Sequence, residues 1–192
     1  LPVDEALLDF YPLEDPKNSD TVRGLLVAAP KDAVLQLVRA VERAGLHVEQ
    51  VDLSIFAALR SAAHLAGDTE AVIDIGANGT NIVIHTNGVP QIVRTVPRGG
   101  AEVTKLIASR LGMPSAEAEV MKCRVGLVRG EGVDSAEVVE EAIRPLISEI
   151  RSSFSYYASS HGAQRVSRLA LVRGAAQLPG LTEKLTHTLG VP

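Results

Sequence analysis

The sequence predicts an α/β protein, and three observations support this fold class. Three apolar strand candidates follow one another at residues 71–75, 81–85 and 89–96, and an Asn87-Gly88 pair separates the last two. Asn-Gly between two apolar runs indicates a tight hairpin turn, so we expect an antiparallel meander. Segments with the helical spacing of apolar residues lie on both sides of this meander. Two glycine-rich turns also follow buried strands, which is where α/β proteins bind ligands.

The composition excludes several classes of function. With 192 residues, of which 46% are hydrophobic, the chain can bury a substantial core. A net charge of −4 and only six aromatic residues argue against a nucleic-acid surface. No apolar run is long enough to span a membrane, and the single cysteine, Cys123, is expected in the apolar core. We therefore expect a cytoplasmic globular protein, and because the chain begins at Leu1 we expect it to be part of a longer one.

The first 45 residues are predicted to form two strands and a helix. The strands are expected at residues 7–11 and 21–29, and Pro30 ends the second. Residues 31–44 carry apolar side chains with the i, i+3, i+4, i+7 spacing of an amphipathic helix. Gly45 follows that segment directly, at the position where helices commonly end.

The next segment is predicted to hold a strand and a second helix. Apolar and polar residues alternate over 47–53, which is the period of a half-buried strand. Ser54 is of a type that caps helices, and we expect a helix from there to about Ala66, ended by Gly67.

The turn between the first two strands of the meander has the composition of a phosphate-binding loop. Gly76 and Gly79 have no Cβ atom, so their backbone N–H groups can approach phosphate oxygens. Asp74 ends a buried strand, where a carboxylate would hold Mg²⁺ through water. The alternative is a tight structural turn, with glycine and Asn78 at left-handed positions. The candidate ligands in this turn are Asp74, Gly76, Asn78, Gly79 and Thr80.

A glycine pair, Gly99-Gly100, opens a predicted helix over residues 101–111, and Gly112 closes it. The free N–H groups and the positive dipole end of such a helix form a second place for phosphate. The apolar residues expected on one side of this helix are Val103, Leu106, Ile107 and Leu111.

Glu119 and Lys122 lie three residues apart on the next predicted helix, which begins at Pro114-Ser115 and ends near Arg124. Residues at that spacing are neighbours on one helix face. The spacing alone is typical of an ordinary surface ion pair, and a role in nucleotide binding is the alternative.

The last third of the chain is predicted to contain a long helix, a strand and a final helix. Asp134-Ser135 is expected to cap the long helix, which runs to about Ser160. Pro145 lies inside it and predicts a kink or two abutting helices. A short buried strand at 168–172 is followed by the second glycine turn and the final helix.

The order of these motifs resembles the second half of the actin-like ATPase fold, a ribonuclease H-like fold found in actin, DnaK-type chaperones, sugar kinases and FtsA. Residues 74–80 match its second phosphate motif, and Gly99-Gly100 matches the glycine pair that follows. Residues 118–122 match the A-E-x-x-K segment in which the acid and the lysine face ribose and adenine, and 171–181 match the adenosine motif. The resemblance implies ATP and Mg²⁺ as ligands, with Asp74 at the metal. The cofactor-binding residues that it implies are Asp74, Gly76, Asn78, Gly79, Thr80, Gly99, Gly100, Glu119, Lys122, Gly174 and Ala175.

More narrowly, the chain resembles the PilM family, cytoplasmic actin-like proteins of type IV pilus assembly. The segments that carry the resemblance are 25–30, 51–57, 96–100, 107–112 and 150–157. It implies a small inserted α/β subdomain, a return to the first large domain, and the second large domain with a helical insertion. These parts are expected at residues 1–50, 51–70 and 71–192, with the insertion at about 113–133.

The function implied by this resemblance is that of an ATP-binding scaffold, at most a slow ATPase, peripheral at the inner face of the cytoplasmic membrane. Its implied partner is the N-terminal tail of a membrane-anchored, PilN-like pilus protein, held in a groove beside the small subdomain. Val27, Ala29 and Leu53 are the candidate groove residues, and the alternative for each is a place in the core. The alternatives are a sugar-kinase-like phosphotransferase and an FtsA-like cell-division protein.

Two features depart from the superfamily pattern. The first phosphate motif, an Asp-x-Gly strand turn near the N-terminus, is absent from these residues, so an intact ATP cleft is not expected within them. The adenosine motif has Arg173 in place of its first glycine, and Ala175 follows Gly174. The arginine side chain either blocks the adenine pocket or turns away and contacts phosphate.

Overall fold

The structure is a computed structural model that describes residues 2–13, 22, 24–63, 68–128, 133–160 and 162–192. The chain divides into two compact units, Leu1–Leu53 and Ser54–Pro192. Both contain strands and helices, so the predicted α/β class is confirmed. Within the described residues, no helix is long and apolar enough to cross a membrane.

The described residues of the first unit form a two-stranded sheet and one α-helix. A 3₁₀ turn at Val3–Glu5 precedes β1 (Ala6–Pro12), and β2 (Gly24–Pro30) pairs with β1 in antiparallel orientation. Helix α1 (Lys31–Arg43) follows, and Gly45 behind it has the left-handed φ of 79° that the sequence predicts for a helix end. The predicted strands and helix are therefore present, although positions 21 and 23 of the second strand lie outside the described residues.

The strand predicted over 47–53 is wrong. These residues form no strand, because a strand requires a neighbour for its backbone N–H and C=O groups. The sheet described in the first unit contains only β1 and β2. Most of the segment is exposed, and only Val48 and Leu53 are partly buried.

The second unit is built on a four-stranded sheet with the order β5-β4-β3-β6. Its strands are β3 (Thr69–Ile75), β4 (Thr80–Thr86), β5 (Val89–Val96) and β6 (Arg168–Val172). The first three form the predicted antiparallel meander, and β6 joins β3 in parallel. Asn87 and Gly88 have φ values of 52° and 82°, the left-handed pair that a type I′ hairpin turn requires.

The described residues of the second unit also form five helices. They are α2 (Ser54–Ala62), α3 (Gly100–Leu111), α4 (Ser115–Val125), α5 (Val133–Ala158) and α6 (Leu181–Leu189), and a 3₁₀ turn at Gly174–Gln177 precedes the last. Buried side chains of α3, α5 and α6 form one core cluster with the strands of the meander.

Two predicted helix boundaries are wrong. Helix α2 ends at Ala62 rather than near Ala66, and the Ala62 carbonyl accepts a hydrogen bond from Arg168 Nη2 (2.9 Å); residues 66 and 67 lie outside the described residues. Helix α5 already includes Asp134-Ser135, which were expected to cap it. It continues through Pro145 as one helix rather than two. Ile143 before the proline and Leu146 and Ile147 after it are all buried in the core, which holds both halves of the helix in place.

A buried polar network joins three strands of the sheet. Glu70 is 4% exposed, and its carboxylate accepts a hydrogen bond from Arg168 Nε (2.8 Å). His85 is fully buried with its Nε2 atom 3.5 Å from Glu70, and burial lowers the pKa of its imidazole. Because Glu70 lies on β3 and Arg168 on β6, the pair helps to fix the parallel register of these strands.

Candidate functional site

The parallel pairing of β3 and β6 brings two glycine turns to the same edge of the sheet. Asp74 lies opposite Val172 in this register, so the residue after β6, Arg173, is next to the end of β3. Its Nε atom lies 2.9 Å from Asp74 Oδ1. Asp74 is 1% exposed, and its Oδ1 accepts no aligned hydrogen bond from any residue that the structure describes. The contact is therefore an ion pair that leaves this buried oxygen with acceptor capacity.

Arg173 has a backbone φ of 68°, in the left-handed region that favours glycine. This conformation explains why the resemblance expects glycine at this position. The guanidinium Nη1 lies 3.3 Å from the place that a Cβ atom on Gly76 would occupy. Of the two orientations left open by the sequence, the side chain therefore adopts the one directed at the 74–80 turn.

The 74–80 turn and the start of α3 are joined by backbone hydrogen bonds. Gly100 N–H donates to the Gly76 carbonyl (2.9 Å), and Ala101 N–H donates to the Ala77 carbonyl (2.8 Å). A Cβ atom on Gly99 would lie 2.4 Å from the Gly76 oxygen, so only glycine permits this approach. The expectation that the first amides of α3 are free for phosphate is thus wrong for Gly100 and Ala101.

The remaining candidates in the turn have different environments. Gly76 N–H donates to the Gly79 carbonyl (2.9 Å), which closes the turn. Asn78 is exposed, and neither it nor the two glycines has a positive φ, so the expected left-handed positions are absent from this turn. Thr80 is buried, and its hydroxyl donates to the Arg98 carbonyl (2.8 Å), which fixes the segment that leads into α3.

Lys122 and Glu119 form more than a surface ion pair. Lys122 is 8% exposed, and its Nζ donates to Glu119 Oε2 (2.7 Å), to the Thr104 hydroxyl (2.9 Å) and to the Gly100 carbonyl (3.1 Å). The hydroxyl of Thr104 also contacts the Glu119 carboxylate. An ammonium group has three donors and Lys122 uses all of them, and the two that reach Gly100 and Thr104 tie α4 to α3.

Hydrogen bonds from Lys122 and then from Thr104 hold the pKa of Glu119 below its ordinary value. The pKa of the neighbouring Cys123 thiol is raised by partial desolvation and by Glu119, so the thiol stays protonated near neutral pH. Cys123 is exposed, which corrects its expected place in the core.

A cavity of about 570 Å³ connects these groups, within the size range of ligand pockets. Five of the sequence-predicted residues line it, namely Gly76, Gly100, Glu119, Lys122 and Gly174. Its apolar wall comes from Ile75, Val103, Ile143, Leu146 and Leu178. Asp74 does not line the cavity itself, but it contacts Arg173, which does. Asn78, Gly79, Thr80 and Gly99 are outside its lining, and Ala175 lies in the adjoining 3₁₀ turn.

Thr104 is a buried residue beside this site that was not predicted from the sequence. The buried side of α3 was expected to include Leu106 and Leu111, but these are 42% and 41% exposed, whereas Thr104 is 6% exposed. A helical wheel centred on Val103 and Ile107 places position 104 on the buried face, three residues before Ile107. The signal in the sequence was a polar residue on the buried face of the helix, which indicates a side chain that needs a buried hydrogen-bond partner.

Comparison with known proteins identifies the family. The sequence model described as type IV pilus assembly protein PilM matches residues 1–192. The chain belongs to the PilM family. Among solved structures, a chain of the PilM-PilN type IV pilus biogenesis complex matches with a TM-score of 0.78 and 28% identity, covering 98% of this chain and 55% of that one.

Two further matches place the PilM-family chain among the actin-like proteins. Cell division protein FtsA of Escherichia coli K12 is 35% identical over 120 residues, which are 60% of this chain and 28% of FtsA. The structure of MreB 5 of Spiroplasma citri bound to AMPPNP matches with a TM-score of 0.61 at 13% identity, over 85% of this chain and 58% of that one. The predicted actin-like fold is thus confirmed. The chain spans about a quarter to a little over half of the length of these relatives.

Proposed function

We propose that this chain is part of an actin-like scaffold of type IV pilus assembly that binds ATP with Mg²⁺ and captures the N-terminal tail of a PilN-like membrane protein. Family membership and the likeness to a PilM-PilN complex support the scaffold role over the phosphotransferase alternative. The scaffold would then be peripheral at the inner face of the cytoplasmic membrane, held there by its partner. The similarity to cell division protein FtsA supports the actin-like fold of this scaffold.

The observation that carries the nucleotide part is the cavity at the carboxyl ends of β3 and β6. Ligands of open α/β sheets bind at this edge. Its apolar wall suits a base, while Arg173 and the 76–77 backbone lie at the end that would receive phosphates. We propose that Glu119 and Lys122 face the ribose and adenine, as the family resemblance implies. MreB 5, which shares only the fold, is solved with AMPPNP bound.

Asp74 fits a role at Mg²⁺. It is a buried carboxylate, and its Oδ1 has acceptor capacity that no aligned hydrogen bond uses within the described residues. Carboxylate oxygens are ligands that Mg²⁺ prefers, directly or through water. The metal would neutralise the phosphate charge.

Replacing Asp74 with asparagine is expected to remove the gain in nucleotide affinity that Mg²⁺ provides, about tenfold or more, because the amide keeps the shape and loses the charge. Calorimetric titration of the full-length protein with ATP, in Mg²⁺ and in EDTA, measures this gain. The thermal unfolding midpoint without nucleotide serves as the fold control. A variant that melts before ATP is added would make Asp74 a structural residue rather than a metal ligand.

The partner part of the proposal concerns an exposed apolar face of the first unit. The cross-strand pairs Phe10–Leu26 and Leu8–Ala28 lie on one face of the β1–β2 sheet, and Phe10 and Leu26 are 47% and 70% exposed. Residues expected from the sequence to line the groove, Val27, Ala29 and Leu53, are half-buried instead. Exposed apolar clusters of this kind mark protein-binding sites. We therefore assign the tail of the PilN-like protein to the Phe10–Leu26 face.

Changing Phe10 and Leu26 to aspartate is expected to weaken binding of the PilN-like N-terminal peptide by about tenfold or more, because both anchors lose apolar contact. Fluorescence anisotropy with a labelled peptide and full-length protein provides the measurement. Leu46→Asp is the matched control, since Leu46 is 64% exposed and outside the sheet. Equal loss in the control, or unchanged binding in the double variant, would contradict this assignment.

A further inference from the structure

The ion pair between Arg173 and Asp74 places an internal cation at the carboxylate proposed for Mg²⁺. Arg173 Nε lies 2.9 Å from Asp74 Oδ1, and Asp74 is 1% exposed. A guanidinium has five N–H donors and remains charged at every physiological pH. One edge of the group faces Asp74, while Nη1 lies over Gly76 and the side chain lines the cavity. The remaining donors are thus available on the side where phosphates would lie.

The ammonium group of Lys122, which also lines the cavity, is already fully hydrogen-bonded within the protein. Its three N–H groups donate to Glu119, Thr104 and Gly100. Glu119 offsets its charge, just as Asp74 offsets that of Arg173. Among the described residues that line the cavity, Lys122 and Arg173 are the cations, and of these Arg173 has N–H groups that can meet an incoming phosphate without breaking a contact with the protein.

The backbone of Arg173 supports a functional role for its side chain. Its φ of 68° is unfavourable for a residue with a long side chain, and strain of this kind persists where a contact or a function holds it. The contact here is the ion pair with Asp74. Glycine at position 173 would relieve the strain and remove that ion pair.

We propose that Arg173 shares Asp74 with the divalent cation: its guanidinium neutralises the carboxylate and also binds the phosphates. Nucleotide binding therefore depends less on Mg²⁺ than it would if Arg173 were absent. The inference rests on the proposed nucleotide-binding function. It predicts an order for the gain in ATP affinity that Mg²⁺ provides. The gain is absent in Asp74→Asn, about tenfold in the wild type and larger in Arg173→Gly, in which the carboxylate is left to the metal.

The test is calorimetric titration of full-length wild-type and Arg173→Gly protein with ATP, in EDTA and in Mg²⁺. In EDTA, Arg173→Gly is expected to bind ATP about ten- to a hundredfold more weakly, because charge-assisted hydrogen bonds to phosphate are lost. In Mg²⁺ the loss is expected to be smaller. Glycine suits the observed φ, so the variant is expected to fold. Arg124→Gln, an exposed change outside the cavity, controls for the loss of one positive charge.

A second readout needs no nucleotide. Mg²⁺ alone is expected to raise the thermal unfolding midpoint of Arg173→Gly and to leave that of the wild type and of Arg173→Gly/Asp74→Asn unchanged, because only the first variant offers a free buried carboxylate. An equal Mg²⁺ gain in wild type and Arg173→Gly would overturn the inference while ATP binding stands. Wild-type protein that binds no ATP in either condition would overturn the nucleotide-binding function and this inference with it.

Discussion

Replacing Gly99 with alanine is expected to destabilise the second unit by about 3–4 kcal/mol and to abolish nucleotide binding. The added Cβ atom would lie 2.4 Å from the Gly76 oxygen and 2.6 Å from the Ala77 oxygen, and backbone atoms cannot rotate away as a flexible side chain can. Relief requires separating the 74–80 turn from α3, which breaks the hydrogen bonds donated by Gly100 and Ala101. Overpacking and two lost hydrogen bonds together account for this magnitude.

Urea unfolding of the Gly99→Ala protein measures the change in the free energy of unfolding. Gly79→Ala is the matched control in the same turn, because its Cβ would meet only the Val96 oxygen, at an ordinary 3.5 Å, and its φ is not positive. We expect that control to unfold within about 0.5 kcal/mol of the wild type. A Gly99→Ala protein with wild-type stability would show that the turn and helix can separate at little cost.

The meander and its hairpin were predictable because their signals are local. The apolar runs of β3 to β5 are each bounded by turn residues, and Asn87-Gly88 requires no tertiary information to form a left-handed turn. The segment at 47–53 shows the limit of the same reasoning. Alternation describes side chains, whereas a strand depends on a partner that may be distant in sequence.

The sequence predicted several residues of the candidate site correctly, but it did not predict what each of them contacts. Glycine at position 99 was recognised, but its purpose is the close approach of two backbone segments rather than free amides for a ligand. Likewise, Arg173 was visible as a departure from the superfamily pattern. Its pairing with Asp74 depends on the parallel register of β3 and β6, which are separated by almost a hundred residues and which no local pattern specifies.

Thr104 and Lys122 also make contacts that depend on how two helices pack, which no local sequence pattern specifies. The spacing of Glu119 and Lys122 favoured a surface ion pair, and that pair exists, yet Lys122 is buried because its Nζ reaches the first turn of α3. The i, i+3 rule describes one helix alone. The contact with Thr104 and Gly100 arises only when α3 and α4 pack together.

Replacing Lys122 with methionine is expected to destabilise the nucleotide-free protein by about 2–3 kcal/mol. The change removes the two hydrogen bonds that Lys122 Nζ donates to α3, at the Gly100 carbonyl and at the Thr104 hydroxyl, and hydrogen bonds from a charged group are among the stronger ones. Urea unfolding without nucleotide measures the loss. Lys105→Met, an exposed change on the neighbouring α3, is expected to be nearly neutral. A Lys122→Met protein as stable as the control would mean that Lys122 serves only the ligand.

Lys122→Met is also expected to change how the free energy of unfolding depends on pH. Because the pKa of folded Glu119 lies below its ordinary value of 4.5, Glu119 contributes stability that is present above that value and is lost as pH falls through the folded pKa. The hydrogen bond from Lys122 is the largest cause of the lowered pKa, so Lys122→Met is expected to raise the pKa of Glu119 and to flatten the loss of stability between about pH 6 and pH 3. Unfolding free energies measured across that range, in the variant and in Lys105→Met, distinguish this coupling from a general effect of removing one lysine. Parallel pH profiles in the two variants would contradict it, and the tie between α3 and α4 would then not depend on the Glu119 charge.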